Sequence, residues 1–311
     1  MKRIITAIII TLVLSYPAFA QAEEKDDPDK INYIPLLSYD YTVLGDQKIH
    51  SPGGGLVVQG KDALFVAFYK NTYLASPLER GAPDRYHSIT TFADIQNGRN
   101  NYLAIFRSES DRPVAGGFNT FLTGGAYGYQ FFTGKSFSLT AGAGLYLSDV
   151  GVDLPDGKAL LIVPCPLLRI KSETDVINTS FEFISGPNLN VVVLPKSRIR
   201  LTGEFSMNEF RDARDMIFDF ALAYRFFDAS HEMGDFAGVS AGIKSAEYSF
   251  DLSDNAETTG IQYYGLYGKI DLSFLAVSGG YTFEGIERHG DNFKKSIGDG
   301  YFVAVQGAYQ F

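Results

Sequence analysis

The chain has 311 residues, a formal net charge of −9, 19 Tyr, 25 Phe, 32 Gly, one Cys and no Trp. With 45% hydrophobic and 20% charged residues it is not a disordered chain, and its one long apolar run, at the N-terminus, does not make a helical membrane protein. No basic cluster exceeds two adjacent charges, which argues against a nucleic-acid partner.

Residues 1–20 read as an export signal. Lys2 and Arg3 form a positive start, Ile4 to Leu14 an apolar core, and Ala18-Phe19-Ala20 a small-x-small cleavage site. Cleavage is expected after Ala20, which removes two basic residues and takes the net charge to −11. Residues 21–30 (QAEEKDDPDK) are a charged leader without periodicity, expected to be flexible and periplasmic. From residue 31 to 311 the chain reads as one domain.

That domain alternates with period two, the signature of strands. Tyr33, Pro35, Leu37, Tyr39, Tyr41 and Val43 oppose Ser38, Asp40 and Thr42. Phe121, Tyr127, Tyr129 and Phe131 oppose Gly124, Gly128 and Gln130. Ile199, Leu201, Phe205 and Met207 oppose Arg198, Arg200, Thr202, Glu204, Ser206 and Asn208, and Met216, Phe218, Phe220, Leu222, Tyr224 and Phe226 oppose Asp219, Ala221, Ala223 and Arg225. Sixteen strands are expected, near 31–43, 52–60, 62–72, 85–96, 101–108, 116–132, 136–148, 159–171, 175–185, 188–195, 197–208, 215–228, 235–250, 258–269, 271–284 and 299–311. Fourteen or twelve are the alternatives, because several pieces are short and Pro164 and Pro166 blur one run. Short turns such as Asn97-Gly98-Arg99-Asn100 alternate with longer polar connections at Tyr73–Arg85, Ser108–Ala115, Asp149–Lys158, Asp251–Glu257 and Gly285–Asp299. The pattern is all-β: a transmembrane, antiparallel, up-and-down β-barrel with short turns on one side and longer loops on the other.

The last strand, D-G-Y-F-V-A-V-Q-G-A-Y-Q-F, puts Tyr301, Val303, Val305, Gly307, Tyr309 and Phe311 on one face. It resembles the closing strand of bacterial outer-membrane β-barrels. The resemblance implies that Tyr309 and Phe311 act as an assembly signal read by the barrel-assembly machinery. It also implies periplasmic chaperones and outer-membrane lipids as partners and the outer membrane of a Gram-negative envelope as location; oligomeric state stays open.

Inward-facing charges are the candidate functional residues. Asp40, Glu182, Arg198, Arg200, Glu204, Asp219, Arg225 and Lys244 fall on polar faces, where hydrocarbon contact would cost several kcal/mol each. Lining a pore, they would sort solutes by charge. The expected function is porin-like passive diffusion of small polar solutes. Two alternatives are weighed: an envelope- or lipid-modifying hydrolase, and a closed structural barrel. The hydrolase needs a His near a Ser or Asp on neighbouring strands, since in His50-Ser51 and His87-Ser88 adjacent residues point to opposite faces. His231 and His289 are expected in a turn and a loop. Phosphate-loop, dinucleotide, zinc and calcium motifs are missing, so no cofactor or metal is expected. Cys165 reads as a small hydrophobe, buried or facing lipid.

Overall fold

The computed structural model describes residues 31–76, 78, 84–111, 120–148, 153–154, 157–158, 161–184, 186–207, 216–228, 237–250, 259–272, 274–289 and 293–308. In chain order the strands are β1 (Asn32–Leu44), β2 (Gln47–Gln59), β3 (Ala63–Leu74), β4 (Arg85–Asn97), β5 (Asn100–Ser110), β6 (Thr120–Thr133), β7 (Phe137–Ser148), β8 (Asp153–Leu154) and β9 (Gly157–Lys158). They continue with β10 (Leu161–Glu173), β11 (Ile177–Phe183), β12 (Pro187–Val193), β13 (Ile199–Met207), β14 (Met216–Arg225), β15 (Ala237–Phe250), β16 (Thr259–Leu272), β17 (Leu275–His289) and β18 (Phe293–Ala308). All but β8 and β9 form one closed barrel of sixteen strands, each antiparallel to its neighbours, with β18 closing on β1. The small β8–β9 ladder stands apart between β7 and β10.

The sixteen expected strands are all present, which decides against fourteen or twelve. Three details differ. Gly285–Asp299 is not a long loop: β17 runs on to His289 and β18 starts at Phe293, with Glu287 opposite Lys295. This hairpin is polar on its outer reach, so it lacks the apolar alternation that marks a strand in sequence. His289 therefore lies at a strand end. Likewise β2 starts at Gln47, because Gly45 takes φ +55° and lets Gly45-Asp46 turn the chain in two residues. Short and long connections also alternate less strictly than expected, since β11 and β12 are joined by a short turn on the loop side.

The prolines of β10 are accommodated by pairing geometry. Pro164 and Pro166 pair with Leu145 and Ala143 of β7, whereas β11 joins β10 only from Leu168 onward. On its β11 side this stretch is an edge, where a residue without an N–H loses no ladder bond.

The two faces separate cleanly. Leu37, Phe65, Tyr102, Tyr127, Leu145, Ile162, Leu201, Phe220, Leu222, Leu266, Tyr281 and Tyr301 are exposed on the outside, a continuous apolar and aromatic belt. In water such a belt would be a large unpartnered patch, whereas in hydrocarbon it is matched. Facing in are three packed clusters: Leu44, Ile49, Leu74, Leu78, Tyr86, Tyr248, Ile261 and Tyr263; Ile34, Leu36, Val57, Val66 and Phe68; and Leu103, Ala126 and Leu167. Phe92 touches the second and third, so filling is continuous along the β1–β10 side. Among the described residues no helix is long and apolar enough to cross a membrane.

Candidate functional site: the charged interior

Two struts cross the lumen. In the first, Arg169 on β10 donates from Nη1 to Asp94 Oδ2 on β4 at 2.7 Å. Strands β7, β6 and β5 lie between these two in the wall. Four strand spacings would separate them by about 19 Å on a flat sheet, beyond the reach of an Arg and an Asp. The wall must therefore curl tightly here. Its inner face permits this, because Gly124, Ala126 and Gly128 of β6 stand opposite Tyr146, Gly144 and Gly142 of β7. A Cβ on Gly128 would sit 2.4 Å from Leu167 Cδ2, and one on Gly142 would sit 1.9 Å from the Tyr127 carbonyl oxygen. Small residues on the concave side make room for the Leu167 and Arg169 side chains.

The strut is a network. Arg169 Nη1 also donates to Asn101 Oδ1 at 2.8 Å, and Nε donates to Glu182 Oε1 at 2.8 Å. Asn101 Nδ2 in turn donates to Asp94 Oδ1 at 2.7 Å. One guanidinium thus holds two carboxylates and an amide.

The second strut joins Thr42 Oγ1 on β1 to Tyr248 OH on β15, 3.0 Å apart, again with three strands between. Beside it Lys70 Nζ donates to Asp40 Oδ2 at 2.8 Å, and its ammonium lies 5.9 Å from the Tyr248 ring. Lys244 Nζ sits 3.8 Å over the Phe302 ring.

Between the struts lies the wall from β11 to β14. One rung of its inner face is polar throughout. Lys171, Ser180, Asn190, Glu204, Asp219 and Lys244 stand opposite one another in turn from β10 to β15. Lys171 is exposed and the other five keep partial exposure, whereas inward residues of β1–β4 such as Lys70, Val66 and Ser88 are buried. Asp219 accepts from Tyr267 OH at 2.5 Å.

The eight candidate charges are thus placed as follows. Asp40, Glu182, Arg200, Glu204, Asp219, Arg225 and Lys244 lie on the inner face. Arg200 is opposite Ala223, and Arg225 is opposite Gly238 and almost fully buried. Arg198, expected with them, lies in the turn before β13, where Nε and Nη2 grip Asp228 at 2.6 and 3.0 Å. The ladder begins only at Ile199, so Arg198 reaches the rim, half exposed, and not the waist. Its hydrogen bond to Asp228 holds the guanidinium pKa above the ordinary arginine value. Tyr309 and Phe311 lie outside the described residues, as do His231 and the acidic stretch 251–257.

Sequence reading missed Arg169, Asp94, Asn101, Lys70 and Tyr267. The prolines hid the alternation that would have put Arg169 with Cys165 and Leu167 on the inner face, where Cys165 is buried. Asp94 shares its face with apolar Phe92.

The histidines bear on the hydrolase alternative. Ser51 points in, to Thr72 Oγ1, and His50 points out, its Nδ1 2.8 Å from Tyr39 OH. His87 also points out. It stands opposite Asn71 on one side and Ser110 on the other, its Nδ1 2.5 Å from Tyr69 OH, while Nε2 has no hydrogen-bond partner. A His and a Ser do neighbour each other across strands, without the base–nucleophile hydrogen bond. Among the described residues no group of acidic, His and Cys side chains is arranged to hold a metal.

A closed up-and-down barrel with an apolar outer belt has the fold of bacterial outer-membrane β-barrels. The sequence matches no family model and no curated protein. Among solved structures it is similar in fold to CdiB from Escherichia coli, with 10% identity over 92% of this chain and 64% of that one and a TM-score of 0.48. CdiB from Acinetobacter baumannii gives 7% identity over 90% and 60%, TM-score 0.45. OccAB3 from the same species gives 10% over 91% and 99%, TM-score 0.37. The chain spans less than two thirds of the length of the CdiB structures. At these identities the likeness concerns the fold alone.

Proposed function

We propose that the protein is an outer-membrane channel for passive diffusion of small polar solutes, not an enzyme, delivered there by cleavage of residues 1–20. The observation that carries this reading is the polar rung of the β11–β14 wall. Ser180, Asn190, Glu204 and Asp219 keep partial exposure there, while the inner face of β1–β4 packs into buried clusters. A path along that wall passes Arg200, Glu204, Asp219 and Lys244, a transverse field that acts on charged solutes.

The test is planar-bilayer conductance of the refolded barrel, repeated with Arg200→Ala and Arg198→Ala. Stepwise conductance is expected, with altered ion selectivity for Arg200→Ala and little change for Arg198→Ala at the rim. No current at any voltage overturns the channel and favours the closed structural barrel, which the buried inner clusters support.

A second reading, hydrolysis of envelope lipids, is favoured by the register of His87 with Ser110 on the outer face. It requires Ser110 to react covalently with a fluorophosphonate probe in a His87-dependent way. An unlabelled folded barrel rules it out.

A further inference from the structure

Asn188 on β12 stands directly opposite Ser206 on β13 and opposite Glu182 on β11. All three face inward. Asn188 is 4% exposed and Ser206 2%, yet the amide Nδ2 and Oδ1 of Asn188 and the Oγ of Ser206 have no hydrogen-bond partner. Polar atoms left dry in this way cost about 1–3 kcal/mol each, so a native wall that keeps them implies something polar to meet them.

Two neighbouring charges are already engaged: Arg169 holds Glu182, and Tyr267 donates to Asp219. Glu204 stands opposite Asn190 at the edge of the patch. The buried groups without a partner here are neutral, the Asn188 carboxamide and the Ser206 hydroxyl. Two residues on along the same face of β12, the Asn190 side chain lies opposite Ser180. Asn190 keeps partial exposure, so the buried pair is continuous with the accessible wall.

From this geometry we infer that Asn188 and Ser206, with Asn190 at their edge, form a subsite for a neutral, hydroxyl-rich solute of the sugar class. The inference deepens the channel reading by naming the solute that the wall accepts. A carboxamide presents a donor and an acceptor side by side, and a serine hydroxyl is both. Adjacent hydroxyls of a polyol, each donor and acceptor, match that set in full. An anion would have to shed water beside this neutral pair and near the Glu204 carboxylate, which offers it no counter-charge.

Saturation-transfer NMR on the detergent-folded full barrel tests this, with glucose, sucrose and maltose as probes and gluconate as the charged control. Transfer to at least one neutral sugar is expected to exceed that to gluconate. Loss of one hydrogen bond should cut it roughly fivefold in Ser206→Ala and further in Asn188→Leu. Ser206→Ala removes only a hydroxyl and keeps the test valid if Asn188→Leu fails to fold. Equal signals for sugars and gluconate, or signals unchanged in the variants, overturn the inference and leave ordered water as the occupant. A barrel that binds sugar but carries no current overturns the channel instead, and one that conducts without binding sugar overturns the subsite alone.

Discussion

Arg169 and Asp94 touch across the lumen although β5, β6 and β7 lie between their strands. That contact folds a quarter of the wall into a lobe and fixes which part of the interior is filled. Removing the guanidinium in Arg169→Ala leaves Asp94 and Glu182 facing each other without their shared cation. A fully buried pair broken this way loses about 3–5 kcal/mol. These side chains are 17–22% exposed, so about 2 kcal/mol is the expected loss, read from urea unfolding in detergent. Single-channel conductance should rise in the same variant as the lobe loosens. Arg169→Lys should recover little, because an ammonium cannot reach Glu182 and Asp94 with separate edges.

The second strut predicts a smaller and different effect. Tyr248→Phe deletes one hydroxyl from the Thr42–Tyr248 contact and keeps the ring against Leu44, Ile261 and Tyr263. It leaves the Thr42 Oγ1 without that partner in a site that is 1% exposed. A loss of about 1 kcal/mol is expected, with conductance unchanged because the ring still fills the space. A large conductance rise would mean that the hydroxyl pair, and not the packed ring, closes this side.

Barrel, strand number and outer belt were legible because hydrocarbon imposes one strict rule, apolar out, on every strand that meets it. Tyr33, Leu37, Tyr39, Leu201 and Phe220 obey it, and so does the parity of Glu204 and Asp219. The struts were not legible. Alternation gives the face a residue takes but not which strand it meets across a lumen, and nothing local to L-L-R-I-K joins Arg169 to Asp94. Arg198 shows the same limit in another way: parity placed it inward, but the ladder starts one residue later and the side chain turns to Asp228.

The glycines of the first lobe predict a failure of assembly rather than of function. Gly142 pairs with Gly128 on the inner, concave side, and a Cβ there would lie 1.9 Å from the Tyr127 carbonyl oxygen, a backbone atom that cannot step aside alone. Gly142→Val should therefore reduce the heat-modifiable, folded band on unboiled gels to a minor fraction. Gly134→Val, in the turn between β6 and β7 with its nearest neighbour 3.3 Å away, should fold at nearly wild-type yield. Equal yields for the two would show that the lobe relaxes and does not depend on close approach.

Glu204 and Asp219 stand directly opposite each other on β13 and β14, two carboxylates in one rung of the accessible wall. Like charges so placed repel unless something positive screens them. Lys244 is opposite Asp219 on its far side, and Tyr267 donates to Asp219 Oδ1. Both carboxylates face the accessible wall and add to the field that a passing ion meets. Reversal potentials in a salt gradient should show cation preference in the wild type, lowered in Glu204→Gln and in Asp219→Asn. The effect should shrink as salt rises from 0.1 to 1 M, where the screening length falls from about 10 Å to about 3 Å. Lys244→Met removes the compensating cation beside Asp219 and should move the reversal potential the other way. A reversal potential that ignores Glu204→Gln while conductance persists would place the conducting path away from the β11–β14 wall.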